Sequence, residues 1–332
     1  MLKTSLLPSQ EDAEICFKRS LSDNFRALLL PVVKASFVVL CRHVSTSCLV
    51  SAAWVAGPPI VGLVIGMFAP LSNTSGDPSD FARLSAGLGW AYFCSWTLCW
   101  YPVVLNNFRS KSVAGLSLDS RLFDLVGFSC YFISNAAMYW SPVVQQEYQA
   151  THEGHSNTVK LNDVFFAGHN ALLTVITLLQ IAAYYDYPPL DSPQRVLRGC
   201  VLASLSLLVF SGVGLGCVIT FTCEGVASWL WYFMALAQIE VVTLVPKYAM
   251  QVQMNYSRKR NGIPIEWVLL DLMGSVLSIT QLTLDCWAIS DWSAMTGNLA
   301  KLLIGILSLS FDAIFLVQHF VLYPQRLTLA AL

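Results

Sequence analysis

The chain has 332 residues, 55% hydrophobic and 12% charged, with a mean hydropathy of +0.59 and a formal net charge of −1. A soluble globular domain carries about 25% charged residues, so the composition excludes a water-soluble enzyme, and it equally excludes a disordered chain. A pI near 6.5 offers nucleic acid no basic face, which leaves a polytopic membrane protein in contact with the lipid bilayer.

Residues 1–84 come first. An apolar stretch over 47–71 is interrupted by Gly57-Pro58-Pro59 and preceded by Lys3, Lys18, Arg19, Arg26, Lys34 and Arg42. It reads either as an extra leading helix or as a late signal sequence that is removed. Asn73-Thr-Ser follows as a glycosylation triplet close to the membrane. Beyond it, seven runs are long and apolar enough to span, at 85–106, 121–141, 162–185, 199–222, 226–251, 265–289 and 299–323. Polar or turn-forming segments separate them, and aromatics such as Trp90, Trp140, Trp229, Trp287 and Tyr323 mark their ends. The ten-residue alternation of an outer-membrane barrel is missing.

Basic residues set the orientation. The loops after spans one, three and five, with the tail, hold Arg109, Lys111, Arg121, Arg195, Arg198, Arg258, Lys259, Arg260 and Arg326. The opposite loops hold Arg83, Lys160 and Lys301. The positive-inside rule puts the richer set, and the C-terminus, in the cytosol.

The sequence also repeats itself. YPVVLNNFRSKSVAGLSLDSRLFDLVG at 101–127 superimposes on AMQVQMNYSRKRNGIPIEWVLLDLMG at 249–274. Asn107 falls on Asn255, Phe108 on Tyr256, Lys111 on Lys259, Asp124 on Asp271 and Gly127 on Gly274. In the third span of each half, Asp163 to His169 resembles Asp312 to His319. The expected organisation is therefore a first triple-helix repeat over 85–185, a linker helix over 186–225, a second repeat over 226–324 and a cytosolic tail over 325–332. Parallel repeats of this kind are typical of transporters with a midplane site between their halves.

Ionisable groups lie inside these apolar runs: Asp124, Asp163, Glu240, Lys247, Asp271, Asp285 and Asp312. A charged group at bilayer centre costs roughly 2.5–3.5 kcal/mol on insertion scales. Such groups must face the bundle interior, water or one another, and each is a functional hypothesis. An aspartate in hydrocarbon can load a proton on an acidic face and release it on a neutral one. Glu240 and Lys247 stand two helical turns apart on one face of span five. Trp96, Trp100 and Tyr101 offer an aromatic wall, and Pro102 and Pro246 mark kinks. The ten cysteines show no C-x-x-C pair or zinc spacing, so neither metal nor cofactor is expected. The chain shows no phosphate-binding G-x-x-x-x-G-K-[ST], so uphill transport would draw on an ion gradient rather than ATP.

The segment from Trp90 to Trp140 resembles the cystinosin family of PQ-loop proteins, through Tyr101-Pro102, Asn107, KSVAGLSLD (111–119) and DLVGF (124–128). Asn162-Asp163-Val-Phe-Phe, Lys247-Tyr248, Met254-Asn255-Tyr256, Val268-Leu-Leu-Asp271 and FDAIFLVQHFVLY (311–323) extend the likeness collinearly over 85–324. It implies an all-α, seven-helix 3+1+3 bundle. It also implies proton-driven export of cystine, or a related amino acid, from an acidic lysosomal or vacuolar lumen. Proton-handling aspartates fall at Asp163, Asp271 and Asp312. Substrate contacts fall at Lys247, Tyr248 and Asp271, with Asp124, Glu240, Trp267, Trp96, Tyr101, Phe128 and Asn255 around them.

The chain departs from that pattern in places. The Pro-Gln signatures read Pro102-Val103 and Met250-Gln251, family asparagines are replaced by Asp124 and Trp267, and a family lysine by Glu240. The more acidic pocket would suit a cationic amino acid such as lysine or arginine. The family's long glycosylated lumenal domain and tyrosine sorting signal have no match in 1–84 or in YPQRLTLAAL. Two rival readings are a SWEET-like sugar facilitator, which needs no proton carrier, and a sorting receptor like the KDEL receptor, which binds peptide without flux.

Overall fold

The computed structural model describes residues 46–69, 80–113, 116–184, 198–199, scattered positions between 202 and 217, 228–259, 263–288 and 290–323. The basic segment 1–45, Asn73, most of the fourth span at 199–222 and the tail at 325–332 lie outside the described residues. Those positions between 198 and 217 that are described are helical. The chain divides into two compact units, residues 1–56 and 57–332. Of the first, only 46–56 is described, as helix.

All the regular structure described is helical. In chain order the helices are α1 (Thr46–Phe68), α2 (Asp80–Leu98), α3 (Tyr101–Ser110), α4 (Leu118–Trp140), α5 (Pro142–Thr151), α6 (Leu161–Tyr184), α7 (Trp229–Arg258), α8 (Ile265–Ala288), the short α9 (Ala294–Gly297) and α10 (Leu299–Val317). A π-turn over Gln318–Leu322 closes α10. Within them, Ser51–Phe68, Leu161–Tyr184, Trp229–Arg258, Ile265–Ala288 and Leu299–Leu322 are long and apolar enough to cross a membrane. This is an all-helical, multi-span membrane protein.

Helix α1 continues through Pro58-Pro59. Its Gly62 and Gly66 lie one turn apart, and a Cβ on either would collide with the α2 backbone at Ala91 and Gly87. Small residues on both helices let the backbones touch, the usual way helices associate where lipid removes the hydrophobic driving force.

The first span after it, expected as one run over 85–106, is broken. Helix α2 stops at Leu98 and α3 restarts at Tyr101 with Pro102 in its first turn. Proline supplies no N–H to the preceding turn and favours a helix start. Pro246, by contrast, lies inside an unbroken α7 of 30 residues.

Helix α4 packs chiefly on α7 and α6, while α8 packs on α2 and α10. Glycine permits both cross-contacts. A Cβ on Gly127 of α4 would strike Glu240 and Thr243 of α7, and one on Gly274 of α8 would strike the Trp96 ring of α2. Two further details occur twice. Lys111 (φ 51°) and Lys259 (φ 50°) end α3 and α7 in the left-handed region. Their ammonium groups sit 3.9 Å over the Phe108 ring and 3.6 Å over the Tyr256 ring, which helps to hold a conformation unfavourable for lysine. Asn107 donates to Gln180 at 3.0 Å and Gln180 donates to the Val104 carbonyl at 2.9 Å. Asn255 donates to Gln318 at 2.9 Å and Gln318 donates to the Val252 carbonyl at 3.1 Å.

This second pairing corrects the alignment of the third spans. Asp163 lies in the first turn of α6, two residues from its start, whereas Asp312 lies thirteen residues into α10, about 20 Å along the axis. If Gln180 corresponds to Gln318, the residue of α10 matching Asp163 is Lys301, not Asp312. His169, bonded to Tyr101 at 3.1 Å, then has no histidine counterpart.

Candidate functional site

Between α2–α3, α4, α7, α8 and α10 lies a cavity of about 120 Å³. At roughly 10–15 Å³ of such volume per water, it has room for on the order of ten waters, the scale of a small polar molecule rather than a folded peptide. It reaches the end of the bundle bearing the connections 111–117 and 259–264, since Leu116, Ser117, Ile263 and Pro264 line it there.

The opposite end is closed by a polar cluster. Lys301, 2% exposed, places its ammonium 2.8 Å from Asp163 and 2.6 Å from the Gln281 side-chain oxygen. Asp163 also accepts from the Tyr92 hydroxyl, the Asn162 amide and the Lys160 backbone N–H. Gln281 donates to the Ser85 carbonyl, the Ser85 hydroxyl donates to Asp285 at 2.6 Å, and Lys160 lies 3.0 Å from Asp285. These bonds tie α2, α6, α8 and α10 together at one level. Among the described residues, Lys301 and Arg121 are not loop cations, as their sequence positions imply, but buried groups in the first turns of α10 and α4.

Inside the cavity, opposite charges are matched. The Lys247 ammonium sits 2.9 Å from Asp124, 3.0 Å from Glu240 and 4.7 Å from the Phe128 ring centroid. Arg121 reaches the other Asp124 oxygen at 2.7 Å, one helical turn away on α4. Its guanidinium stacks 4.2 Å over Trp100, whose ring meets Trp267 edge-on at 5.4 Å. Two cations thus face two carboxylates. The acidity that Asp124 and Glu240 bring on paper is offset by Lys247 and by Arg121, and Arg121 was not among the expected site residues. The signal for it was available: an arginine three residues before Asp124 shares its helix face.

Beside this network, the Tyr248 hydroxyl donates to Asp271 at 2.7 Å and lies 3.3 Å from Ser308. Trp96 donates its indole N–H to the Asp271 backbone carbonyl at 3.0 Å. Asp312, fully buried, interacts with the Asp271 carboxyl, and among the described residues no donor reaches either of its oxygens.

Of the expected site residues, Trp96, Asp124, Phe128, Glu240, Lys247, Tyr248, Trp267 and Asp271 line the cavity. Four do not. Tyr101 is 36% exposed and bonds to His169 on the flank of the bundle. Asn255 is bonded to Gln318. Asp163 belongs to the closed end, because its place in the first turn of α6 puts it about two helical turns or more from the midplane. Asp312 stands behind Asp271.

The profile of the PQ loop repeat family matches residues 84–144. The cystinosin homolog of Dictyostelium discoideum is 34% identical over 246 residues, covering 74% of this chain and 83% of its own. The cystine transporter of Saccharomyces cerevisiae is 26% identical over 262 residues, 72% of this chain and 94% of its own. A eukaryotic SWEET transporter structure is 13% identical with a TM-score of 0.39, covering 70% of this chain and 98% of that one. With a relative this similar across most of both lengths, the chain belongs to the cystinosin family of PQ-loop repeat proteins.

Proposed function

We propose that this chain is a proton-coupled transporter that exports cystine, or a closely related amino acid, from an acidic organelle lumen to the cytosol. Membership of the cystinosin family and likeness to a protein named for cystine transport support the cargo. The lysosomal or vacuolar membrane, with the C-terminus cytosolic, is the corresponding location, and the two triple-helix halves about a linker helix are the corresponding organisation.

The observation that carries the proton step is the pair Asp312 and Asp271. Two buried carboxyls in contact, with no cation on Asp312 among the described residues, repel one another unless they share a proton. Asp271 lines the cavity, so the proton held by the pair and the cargo sense each other. Asp163 is the second proton-handling group. Its carboxylate holds the Lys301 ammonium at the closed end, so parting that pair is the step that admits cargo from the lumen.

Cationic cargo is the lesser reading, because Asp124 and Glu240 already hold Arg121 and Lys247. The test is uptake of radiolabelled cystine, lysine, arginine and glucose by surface-expressed protein at acidic external pH. Cystine flux that rises with external acidity is expected, and Asp312→Asn abolishes that rise. A fully pH-dependent current in Asp312→Asn would sink the assignment, and pH-independent glucose flux would revive the sugar facilitator.

A further inference from the structure

The cavity contains two buried N–H donors that nothing satisfies. Among the described residues, neither the Arg121 Nε–H nor the Trp267 Nε1–H reaches an acceptor, although both side chains line the cavity. Arg121 is 8% exposed and Trp267 4%, so both side chains are more than nine-tenths buried. Buried donors are paired in almost every folded protein, and an exception calls for a partner. The two are also neighbours: Trp100 is stacked under the Arg121 guanidinium and touched edge-on by the Trp267 indole. Both side chains thus border the Trp100 ring and line the same cavity.

Their chemistry narrows the occupant. Arg121 uses its terminal nitrogen on Asp124, and the Lys247 ammonium uses Asp124 and Glu240. The four charges of that network sum to zero, while Asp124 Oδ2 and Glu240 Oε2, which accept no hydrogen bond among the described residues, could meet a cargo ammonium. The Arg121 and Trp267 N–H groups call for an acceptor. A carboxylate is planar, accepts at two oxygens and matches the guanidinium edge. We infer that Arg121 and Trp267 form a carboxylate subsite, which grips one α-carboxylate of the cargo as it stands at the cytosolic mouth. This rests on the transport reading above, and it deepens it: these two side chains hold the cargo through a carboxylate, and its equivalent without carboxylates is rejected. Trp267 sits at a position where the family resemblance implies an asparagine, and Arg121 at one the resemblance does not mark, so the subsite belongs to this chain's own residues.

The experiment compares cystine with cystamine, the same disulfide diamine without carboxylates. Full-length protein on the cell surface is assayed for the KM of radiolabelled cystine and for competition by cystamine, with surface abundance measured by biotinylation. Two conservative variants are used. Arg121→Lys keeps a cation beside Asp124 but removes the Nε–H, and Trp267→Phe keeps the ring but removes the indole N–H. Unmodified protein is expected to favour cystine over cystamine by ~10-fold or more, as for a lost charge-assisted hydrogen bond. Each variant is expected to raise the cystine KM by ~5–10-fold at similar maximal rate, and to shrink the preference towards parity. Equal competition by cystamine in the unmodified protein overturns the subsite, as does an unchanged preference in both variants at normal surface abundance. Failure of the unmodified protein to move cystine at all overturns the transport reading together with the subsite. Cystine flux with insensitive variants overturns the subsite alone.

Discussion

The Lys301 ammonium lies 2.8 Å from the Asp163 carboxylate, and both side chains are buried although 138 residues separate them. Removing one partner from such a pair leaves an uncompensated charge, at a cost of roughly 3–5 kcal/mol. Lys301→Met is therefore expected to lower the thermal midpoint of the detergent-solubilised protein sharply. Asp163→Asn leaves Lys301 with the Gln281 oxygen, whereas Lys301→Met leaves Asp163 its donors from Tyr92, Asn162 and the Lys160 N–H, so the loss at Asp163 is expected to be at least as large. Removing both charges together should recover part of the loss. A double-mutant cycle on the thermal midpoint checks this, and strictly additive losses would mean that the pair is not coupled in the native state.

A second expectation concerns the donor on Asp271. Tyr248→Phe removes the hydroxyl that reaches Asp271 at 2.7 Å and touches Ser308 at 3.3 Å, while keeping the ring against Phe311 and Phe315. Asp271 is then left beside Asp312 with one donor fewer, and an unsatisfied buried acceptor costs about 1–3 kcal/mol. Loss of this donor beside the carboxyl pair is expected to lower maximal cystine flux while uptake still responds to external acidity. Electrogenic current recorded at stepped external pH measures both.

The sequence carried much of this arrangement and lost particular parts of it for physical reasons. Apolar runs and their aromatic ends located helices at 118–140, 161–184, 229–258, 265–288 and 299–317, because a bilayer-spanning helix leaves a length signature. The spacing of Glu240 and Lys247 foretold a shared face, and they are ion-paired at 3.0 Å. Arg121 and Lys301 were misread because a cation near a span end normally faces water. Only tertiary contact with Asp124 and Asp163 reveals them as interior groups. The likeness of Asp163 to Asp312 misled in a different way. Both head an apolar Phe-containing run, but local similarity cannot fix depth in the membrane, whereas the hydrogen-bonded glutamines can.

Glycine positions give a third test. Gly127 lies where Glu240 and Thr243 of α7 press against α4, so a methyl group there meets a carboxylate that is already committed to Lys247. Gly127→Ala is expected to push Glu240 off Lys247 and to destabilise by about 1–3 kcal/mol, as overpacking does. The same change at Gly57, where nothing lies within 4 Å, should leave the protein's thermal midpoint unaltered or slightly raised. Parallel unfolding curves for the two variants distinguish crowding at α4 from a general dislike of alanine in these helices.

The paired glutamines provide the sharpest test of internal symmetry. Gln180 accepts from Asn107 and donates to the Val104 carbonyl, while Gln318 accepts from Asn255 and donates to the Val252 carbonyl, with all four bond lengths between 2.9 and 3.1 Å. Each glutamine clips the end of one helix, α6 or the close of α10, to the end of another, α3 or α7. Leucine at either position keeps the bulk but removes both buried bonds that the glutamine makes, at about 1–3 kcal/mol. Gln180→Leu and Gln318→Leu should therefore lower the thermal midpoint by similar amounts. Because the two clips share no residue, their losses should add in the double variant to within about 0.5 kcal/mol. A large loss at one glutamine and none at the other would show that the two halves do not hold their helix ends in the same way. The placement of Lys301, rather than Asp312, opposite Asp163 in the repeat would fall with it.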